Sequence, residues 1–440
     1  MEKFDRQVRI WGTHGQHIIQ TSHVCVIGSS PVACEIVKNL ALPGIGRLTM
    51  VAVNSTDSTD SPNEQFWDMN TWNVTQIDWN AETMSSAWFW KSFDLIIITT
   101  GCSDVLKVFR QIKSPPSLLC GTFERNGFVT FLSGEPHFVV ESHQKHSIPD
   151  LRLGALRGDL SQFYSSFNIR EESFPDLPFA ALLYHVRENV LKEKKSHQPI
   201  CRDDLKRQII ALQKKVSPST QTPNFVEALR FSHLASDSIE ALPENVIRCL
   251  GLKDKLCQVP FNRDVQTLLR ALSLYLKSPQ SEGQLPLSGV IPDMESNYEF
   301  YTALRKAYSD AAAKDVKLLS EHVLQEGAPI AVEKIESFCR NCRHIDVIEP
   351  VGSLIDLETY LSNEVTGSAE IIKSVFRSGF SKKPDEEERR KFHPCISFVA
   401  GIAAQEATKV LTHQFLPLHN TLVYEGERGH LSSIKIKSNQ

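Results

Sequence analysis

The residues best suited to chemistry lie in a turn whose spacing is close to that of a phosphate-binding loop. In a working G-x-G-x-x-G turn, the glycines let the backbone approach a phosphate and let the helix pack closely on the strand. Here the three positions hold Gly28, Ser30 and Ala33. The serine side chain would push a ligand away from the backbone. Pro31 follows, and it lacks the N–H that a helix start would offer to an anion.

A second requirement of nucleotide binding is also missing. In dinucleotide-binding units, an acidic residue after the second strand holds the ribose. This sequence has Ala52 and Asn54 in that region. The residues therefore favour a nucleotide-binding fold whose own pocket no longer binds nucleotide, and the alternative is an atypical working pocket.

The turn is positioned by a strand–helix–strand unit over residues 23–54. Val24 to Ile27 form an apolar run before the turn, and Leu48 to Val53 form a second run after the helix. Between them, apolar residues recur at the spacing of one buried helix face, at Val32, Ile36, Val37, Leu40 and Ala41. This order predicts the opening unit of a nucleotide-binding α/β sheet. Further apolar runs predict strands at 93–100, 117–122, 127–133, 137–141, 421–424 and 431–436, so the sheet is expected to be mixed at its far edge.

The chain as a whole divides into four predicted segments. From Pro149 to about Ser337 the apolar residues recur at helical spacing. The charged run SKKPDEEERR, residues 381–390, predicts a solvated loop, and residues 393–413 predict a helix that leads into the closing strands. The segments are a first sheet part (1–153), a helical insert (154–345), a variable charged segment (346–392) and a closing helix with strands (393–440).

Composition limits the classes of partner. The 440 residues are 41% hydrophobic and 23% charged, with 48 basic and 52 acidic side chains and a formal charge of −4. This balance argues against bulk electrostatic binding to nucleic acid or to an anionic membrane. No apolar run approaches the roughly 20 residues needed to span a bilayer, and no secretory signal is expected in MEKFDRQVRI. Ten scattered cysteines then suggest reduced thiols in a cytoplasmic or nuclear protein.

A second candidate site is an arginine in the opening segment FDRQVRIWG, residues 4–12. A guanidinium group is permanently charged and its planar fork fits phosphate oxygens, so Arg6 could serve a phosphate elsewhere. The mixture of charged and apolar residues also suits an amphipathic segment that packs on the sheet with its charges in solvent. Spacing alone favours the amphipathic interpretation, and residues 13–21 are predicted to continue as a helix.

Three further groups could serve chemistry or binding, and each has a simpler explanation. Asp104, at a predicted helix start, could hold Mg²⁺ beside phosphates, but acidic residues are common there for capping. Cys339 and Cys342 form a CxxC pair, but no second pair lies at zinc-site spacing, so we expect buried or idle thiols. Five of the six tryptophans fall within residues 67–90, and such clusters serve both core packing and protein interfaces.

The stretches FDRQVRIWG, VCVIG and EIVKNLALPGIGRLT resemble the amino-terminal half of the ubiquitin-like-protein activating enzymes. Those enzymes are built from two related adenylation-fold halves. One half binds ATP and carries the catalytic cysteine, and the other has lost its nucleotide site. The altered turn and the missing acid at Ala52 place this chain with the inactive halves.

Other stretches distinguish two branches of that family. Residues 139–153, 283–294, 306–323 and 393–424 are similar to the regulatory subunits of the neddylation branch. The inactive subunit of the sumoylation branch lacks a helical insert of this size and is the alternative within the family. From other classes, the alternatives are a stand-alone adenylating or NAD-linked enzyme with an atypical turn, and a helical scaffold. The resemblance is weak over 54–92, and 346–392 is shorter than its counterpart.

The resemblance implies a discontinuous α/β, Rossmann-like adenylation fold of the ThiF/MoeB type with a large α-helical insert. It implies a heterodimer in which the catalytic subunit holds ATP and Mg²⁺, while this chain holds no cofactor or metal of its own. It also implies contact with the ubiquitin-like modifier. In the family, the arginine of the DRQ segment reaches into the partner's ATP site. The resemblance therefore favours a phosphate-contacting role for Arg6 over the purely amphipathic interpretation. Neither nucleic acid nor a membrane is an expected partner.

Overall fold

The computed structural model describes most of the chain, which forms two compact units. The first, which we call the sheet unit, comprises Met1–His143, Asp254–Arg263 and Asp346–Gln440. The second, the helical unit, comprises Gln144–Lys253 and Asp264–Ile345. The sequence-based division at residues 153, 345 and 392 stays a prediction. The described residues are 2–53, 73–112, 115–143, 149–166, 171–194, 199–217, 222–236, 242–254, 263–327, 329–378, 386–418 and 420–437.

The strands of the described ranges belong to the sheet unit. They are β1 His23–Ile27, β2 Arg47–Ala52, β3 Val74–Asp78, β4 Leu95–Ile98, β5 Ser117–Phe123, β6 Asn126–Leu132, β7 His137–Val139, β8 Asp346–Ile348, β9 Thr421–Glu425 and β10 His430–Ile434. Eight of them form one sheet in the order β10-β9-β6-β5-β4-β1-β2-β3. The pairs from β3 to β5 are parallel, and those from β5 to β10 are antiparallel. The predicted α/β class and the mixed far edge of the sheet are confirmed.

One predicted strand does not join this sheet. Residues 137–141 were expected at its far edge, but β7 pairs antiparallel with β8 in a separate two-stranded sheet. The reason is that β6, the preceding strand, already pairs with β5 on one side and β9 on the other. No edge of β6 is left for the next strand, because β9 returns from the far end of the sequence to occupy it.

The helices complete both units. In the sheet unit they are α1 Asp5–Thr21, α2 Pro31–Ala41, α3 Ala81–Met84, α4 Ala87–Trp90, α5 Ser103–Gln111, α14 Leu354–Ser362, α15 Ser368–Arg377 and α16 Glu386–Thr412. Between α5 and α14 the chain forms α6 Gly158–Ser166, α7 Phe179–Glu193, α8 Arg202–Val216, α9 Pro223–Phe231, α10 Glu244–Leu252, α11 Arg263–Tyr275, α12 Tyr298–Gln325 and α13 Val332–Asn341. The helices of the described ranges include none long and apolar enough to cross a membrane.

The central strands are buried on both faces, as continuous apolar runs predict for a parallel sheet. Val24 and Val26 of β1 point into one core, which α2 and α16 cover. Cys25 and Ile27, with the opposite alternation, point into a second core that contains residues of α5, α14 and α15. The turn that follows β1 is therefore fixed by a strand packed from both sides.

The segment 346–392 is more ordered than a charged, variable stretch suggests. Leu357 of α14 and Ile372 of α15 are fully buried in the second core. Glu358 accepts two hydrogen bonds from Arg110 of α5, at 2.8 and 2.5 Å. The loop predicted at 381–390 is wrong for residues 386–390, which begin α16, while 381–385 lie outside the described ranges. Glu, Arg and Lys are good helix formers, so a charged run of this kind can extend a helix.

The helical unit has its own core and a buried polar network. Arg157 donates to both carboxylate oxygens of Asp315 on α12, at 2.7 and 2.9 Å. Tyr275 of α11 donates to the same carboxylate at 2.7 Å, and so does the backbone N–H of Leu287 at 2.8 Å. Because the buried charges are paired and hydrogen-bonded, this network suits a structural role that links α11, α12 and the segments before them.

Candidate functional site

The turn after β1 is closed by the protein's own side chains. Gly28 has φ +117°, which favours glycine, and a Cβ there would lie 2.5 Å from the hydroxyl oxygen of Thr99. That hydroxyl donates to the carbonyl of Ile27 at 2.8 Å, and the Gly28 N–H donates to the carbonyl of Val51 at 2.9 Å. Gly28 is therefore required by the packing of β1 against β4, without any ligand.

Ser30 occupies the helix start where a phosphate would bind. Its hydroxyl oxygen accepts a hydrogen bond from the N–H of Ala33 at 3.3 Å, and it lies 3.4 Å from the Thr99 hydroxyl. Pro31 is the first residue of α2 and has no N–H to offer. A helix start binds anions through its free N–H groups, so an internal cap and a proline both weaken that capacity.

The remaining positions of the fingerprint offer no polar side chain. Ala33 is fully buried, and Ala52, the last residue of β2, is 6% exposed. The Ala52 carbonyl accepts from the N–H of Trp79 at 2.8 Å. The structure thus brings Gly28, Ser30 and Ala33 together beside the end of β2, while Asn54 lies outside the described ranges.

Sequence reasoning missed Thr99, which fills the space over the turn. It follows β4, the strand adjacent to β1, in the stretch FDLIIITT. In open α/β sheets the carboxyl ends of neighbouring strands lie side by side at the ligand-binding edge. Two threonines directly after a buried strand were therefore the available signal that this edge carries its own hydroxyl groups.

Arg6 lies on the first turns of α1, in the segment 4–11 that we call the arm. Its side chain is exposed, and it has no ion-pair partner within the described part of the chain. Arg9, the other arginine of the arm, pairs with Asp5 at 2.8 Å across one helical turn. Among the described residues, the guanidinium of Arg6 therefore has no carboxylate beside it, whereas that of Arg9 does.

The arm is attached to the loop between α2 and β2. The ring of Phe4 lies so close to Gly44 that a Cβ on that glycine would come within 2.6 Å of it. Further along α1, the Gln16 amide donates to the carbonyl of Pro43 at 2.9 Å. The interpretation of residues 4–12 as a segment packed on the sheet unit with its charges in solvent agrees with these contacts, and that placement leaves Arg6 accessible.

The two cysteines of the CxxC pair, and Cys395 of α16, are poorly suited to nucleophilic attack. Cys339 and Cys342 are buried, and burial raises the pKa of both thiols. Burial also raises the pKa of Cys395 to about 12. A thiol must lose its proton to act as a nucleophile, so these three remain inert at neutral pH.

The surroundings of Asp104 and of the tryptophans show which role each side chain has in the structure. Asp104 is exposed in the first turn of α5 and pairs with Lys107 at 3.1 Å. No group of three or more His, Cys, Asp or Glu residues in the described ranges is arranged to hold a metal ion. Trp90 is buried and donates to the carbonyl of Met84 at 2.7 Å, whereas Trp88 is 80% exposed. The tryptophan cluster thus serves both core and surface, with Trp67 and Trp72 outside the described ranges.

Known proteins align with the chain along nearly its full length. No family model matches it. It is 26% identical to the NEDD8-activating enzyme E1 regulatory subunit of Saccharomyces cerevisiae, over 99% of this chain and 100% of that protein. The subunit of the same name from Danio rerio is 24% identical over 96% of each chain. The one from Drosophila melanogaster is 23% identical over 96% of this chain and 95% of that protein. The resemblance found in the motifs is confirmed, and this chain is a homologue of the regulatory subunits of NEDD8-activating enzymes.

Proposed function

We propose that this chain is the regulatory subunit of a heterodimeric NEDD8-activating enzyme. The observation that carries the proposal is the similarity to regulatory subunits along 99% of this chain and 100% of a relative. Relatives of the same description cover both the sheet unit and the helical unit, which favours neddylation over the sumoylation alternative. The closed turn at Gly28–Pro31 fits a subunit that leaves nucleotide chemistry to its partner.

In this proposal the catalytic subunit holds ATP and Mg²⁺ and carries the nucleophilic cysteine. The carboxylate of the modifier's terminus attacks the α-phosphate and pyrophosphate leaves, which gives an acyl adenylate. The cysteine thiolate then attacks the acyl carbon, a thioester forms and AMP leaves. This chain completes the heterodimer and helps to form the cleft that holds the modifier. We place the enzyme in the cytoplasm or the nucleus.

Arg6 is the residue of this chain that we assign to the reaction. Its guanidinium would contact the outer phosphates of ATP in the partner's site and stabilise the charge that leaves with pyrophosphate. The assignment is supported by the exposure of Arg6 and by its lack of an ion-pair partner within the described ranges. Arg9 is the less suitable arginine, because its charge is already balanced by Asp5.

The proposal is tested by reconstitution. The chain is purified alone and after co-expression with a NEDD8-activating catalytic subunit, and ATP–pyrophosphate exchange is measured with NEDD8 or SUMO present. We expect a stable 1:1 complex and exchange that requires both subunits and NEDD8. Exchange by the isolated chain, or a complex that responds to SUMO alone, would contradict the proposal.

A further inference from the structure

We infer that two features set the direction of the arm: a kink in α1 at Gly12, and a clamp, by which we mean the contacts of Gln414 and Phe415 with Trp11. Gly12, Trp11 and Gln414 are then positioning residues for Arg6. This inference rests on the proposed function. Four sets of contacts show how the sheet unit holds the arm.

The first observation is the backbone at Gly12, where α1 is interrupted. Gly12 has φ 69° and ψ 171°, a conformation open essentially to glycine alone. A Cβ at Gly12 would meet no atom within 4 Å in the part of the chain that the structure describes. Packing therefore does not require glycine at this position. The change in chain direction between the arm and residues 13–21 does require it.

The second observation is that residues 13–21 are fixed to the sheet unit. The Gln16 side chain donates to the carbonyl of Pro43, and the Gly46 N–H donates to the carbonyl of Ile19 at 3.0 Å. Ile19 itself is buried. This half of α1 lies directly before β1 and is bonded to the loop that precedes β2. The angle at Gly12, together with the contact of Phe4 on Gly44, therefore decides where the arm points.

The third observation is a clamp at the end of the arm. The Gln414 amide donates to the carbonyl of Trp11 at 2.9 Å, and the ring of Trp11 packs edge-on against Phe415 at 5.1 Å. A Cβ on Gly15 would lie 2.9 Å from the same Gln414 amide. Gln414 therefore lies across the kink, bonded to the residue before it and packed against the first full turn after it.

The fourth observation is that the clamp has its own support. Phe415 stacks on His143 at 4.1 Å, and its N–H donates to the carbonyl of Glu141 at 2.7 Å. His413 and Phe415 have φ of 54° and 56°. Left-handed backbone at non-glycine residues persists where surrounding contacts impose it. The segment 413–415 is thus held in one conformation against residues 141–143. Its contacts with Trp11 therefore fix the position of that residue as well.

The geometry makes the aim of the arm sensitive to Gly12. Arg6 lies six residues before it, or about 9 Å along a helix at 1.5 Å per residue. A change of about 30° at the kink would then move the Arg6 backbone by roughly 5 Å. A displacement of about 1 Å can cost about 10²-fold in rate when a group must meet a reacting centre.

The inference is tested with Gly12→Ala in the complete heterodimer. Alanine favours a continuous helix and adds no clash with the described residues, so it redirects the arm at the expense of the contact between Phe4 and Gly44. Gly367→Ala is the matched control, because Gly367 also has positive φ (63°) and open space, in the same unit. We expect Gly12→Ala to lower kcat for ATP–pyrophosphate exchange at least tenfold, with KM for NEDD8 within about twofold. Gly367→Ala should leave kcat unchanged.

A double-mutant cycle separates aiming from a general structural effect. In an Arg6→Ala background, Gly12→Ala should slow exchange less than about twofold further, because the aimed group is gone. Trp11→Ala should behave like Gly12→Ala, and Trp11→Phe should restore most of the rate. Equal effects of Gly12→Ala in both backgrounds would overturn the inference, as would an unchanged kcat. Failure of the unchanged chain to form the heterodimer would instead contradict the proposed function.

Discussion

Two regions of the sheet unit, the turn after β1 and the arm before it, treat their polar groups in opposite ways. In the turn, the hydroxyl of Ser30 caps α2 and the hydroxyl of Thr99 bonds the carbonyl of Ile27. In the arm, Arg6 stays exposed and has no ion pair within the described ranges. The hydroxyl groups at the turn bond within the chain. The arm instead exposes a charged group that another molecule can reach.

This difference indicates which property each region controls. Groups that bond within the chain contribute to its folding free energy, and their removal should change stability. A free guanidinium contributes little to folding, and its removal should change only what the heterodimer does. The closed turn and the exposed arm should therefore separate cleanly in measurements of stability and of rate.

The largest expected effect is that of Arg6→Ala on the rate. Arginines supplied by a second protein are worth about 10³–10⁵ in phosphoryl reactions, so we expect ATP–pyrophosphate exchange by the heterodimer to fall by about 10³-fold. The urea midpoint of the isolated chain should stay unchanged. Arg9→Ala is the control, and its effect on exchange should be less than about twofold. Equal losses for both variants would show that the arm contributes general charge and that Arg6 has no special role.

The next effect should appear in stability, at Gly28→Ala. The new Cβ would lie 2.5 Å from the Thr99 hydroxyl, at a φ of +117° that alanine avoids. Strain of this kind costs about 1–3 kcal/mol, and the clash adds to it, so we expect a loss of about 2–4 kcal/mol in the free energy of unfolding. Urea denaturation measures it, with Gly367→Ala as a strained control without a clash. A loss no larger than that control would show that the turn is more open than the contacts indicate.

Much of the sheet unit could be predicted from the sequence, because its signals are local. The apolar runs of β1 and β2 and the helical face of α2 are each continuous in the chain. The order of residue types at Gly28, Ser30 and Ala33 was sufficient to predict an altered phosphate turn. Local patterns of this kind fix which residues form an element and which face they bury.

The contacts that hold the arm could not be predicted in this way. Gln414 meets Trp11 across 403 positions of sequence, and no spacing rule connects them. The separate pairing of β7 has the same cause, since it depends on β9 returning to the edge of β6. The Thr99 contact joins two strands through their sheet order, which is also a property of the whole fold.

The support of the clamp segment 413–415 should make the stability of the sheet unit sensitive to acid. His137 is fully buried and stacks on His413, which belongs to the clamp segment 413–415, at 4.8 Å. Burial, and then the neighbouring His413, lower the pKa of His137 well below its usual 6.5. As the pH falls, His137 therefore takes up a proton in the unfolded chain before it does so in the folded chain. Stability that is present above about pH 6.5 should be lost as the pH falls, by up to about 1.4 kcal/mol per pH unit.

His137→Phe tests this acid response, because phenylalanine keeps an aromatic ring and cannot take up a proton. The difference in unfolding free energy between pH 7.5 and pH 5.5 should be smaller in the variant than in the natural chain. His430→Gln, on the exposed strand β10, is the control and should leave that difference unchanged. An identical pH response in His137→Phe would exclude His137 as its source.

The smallest changes in stability should come from substitutions of Ser30. The same variants test whether this one side chain prevents nucleotide binding at the turn. Loss of a helix cap costs about 1 kcal/mol for Ser30→Ala and a few tenths for Ser30→Gly, both measurable as urea midpoints. Ser30→Gly also restores the second glycine of the fingerprint. We still expect no ATP binding by calorimetry, because Pro31 lacks its N–H, Ala52 offers no carboxylate and Thr99 stays in place. Binding by Ser30→Gly would mean that a single side chain separates this turn from a working one, and the contrast with the arm would then rest on Ser30 alone.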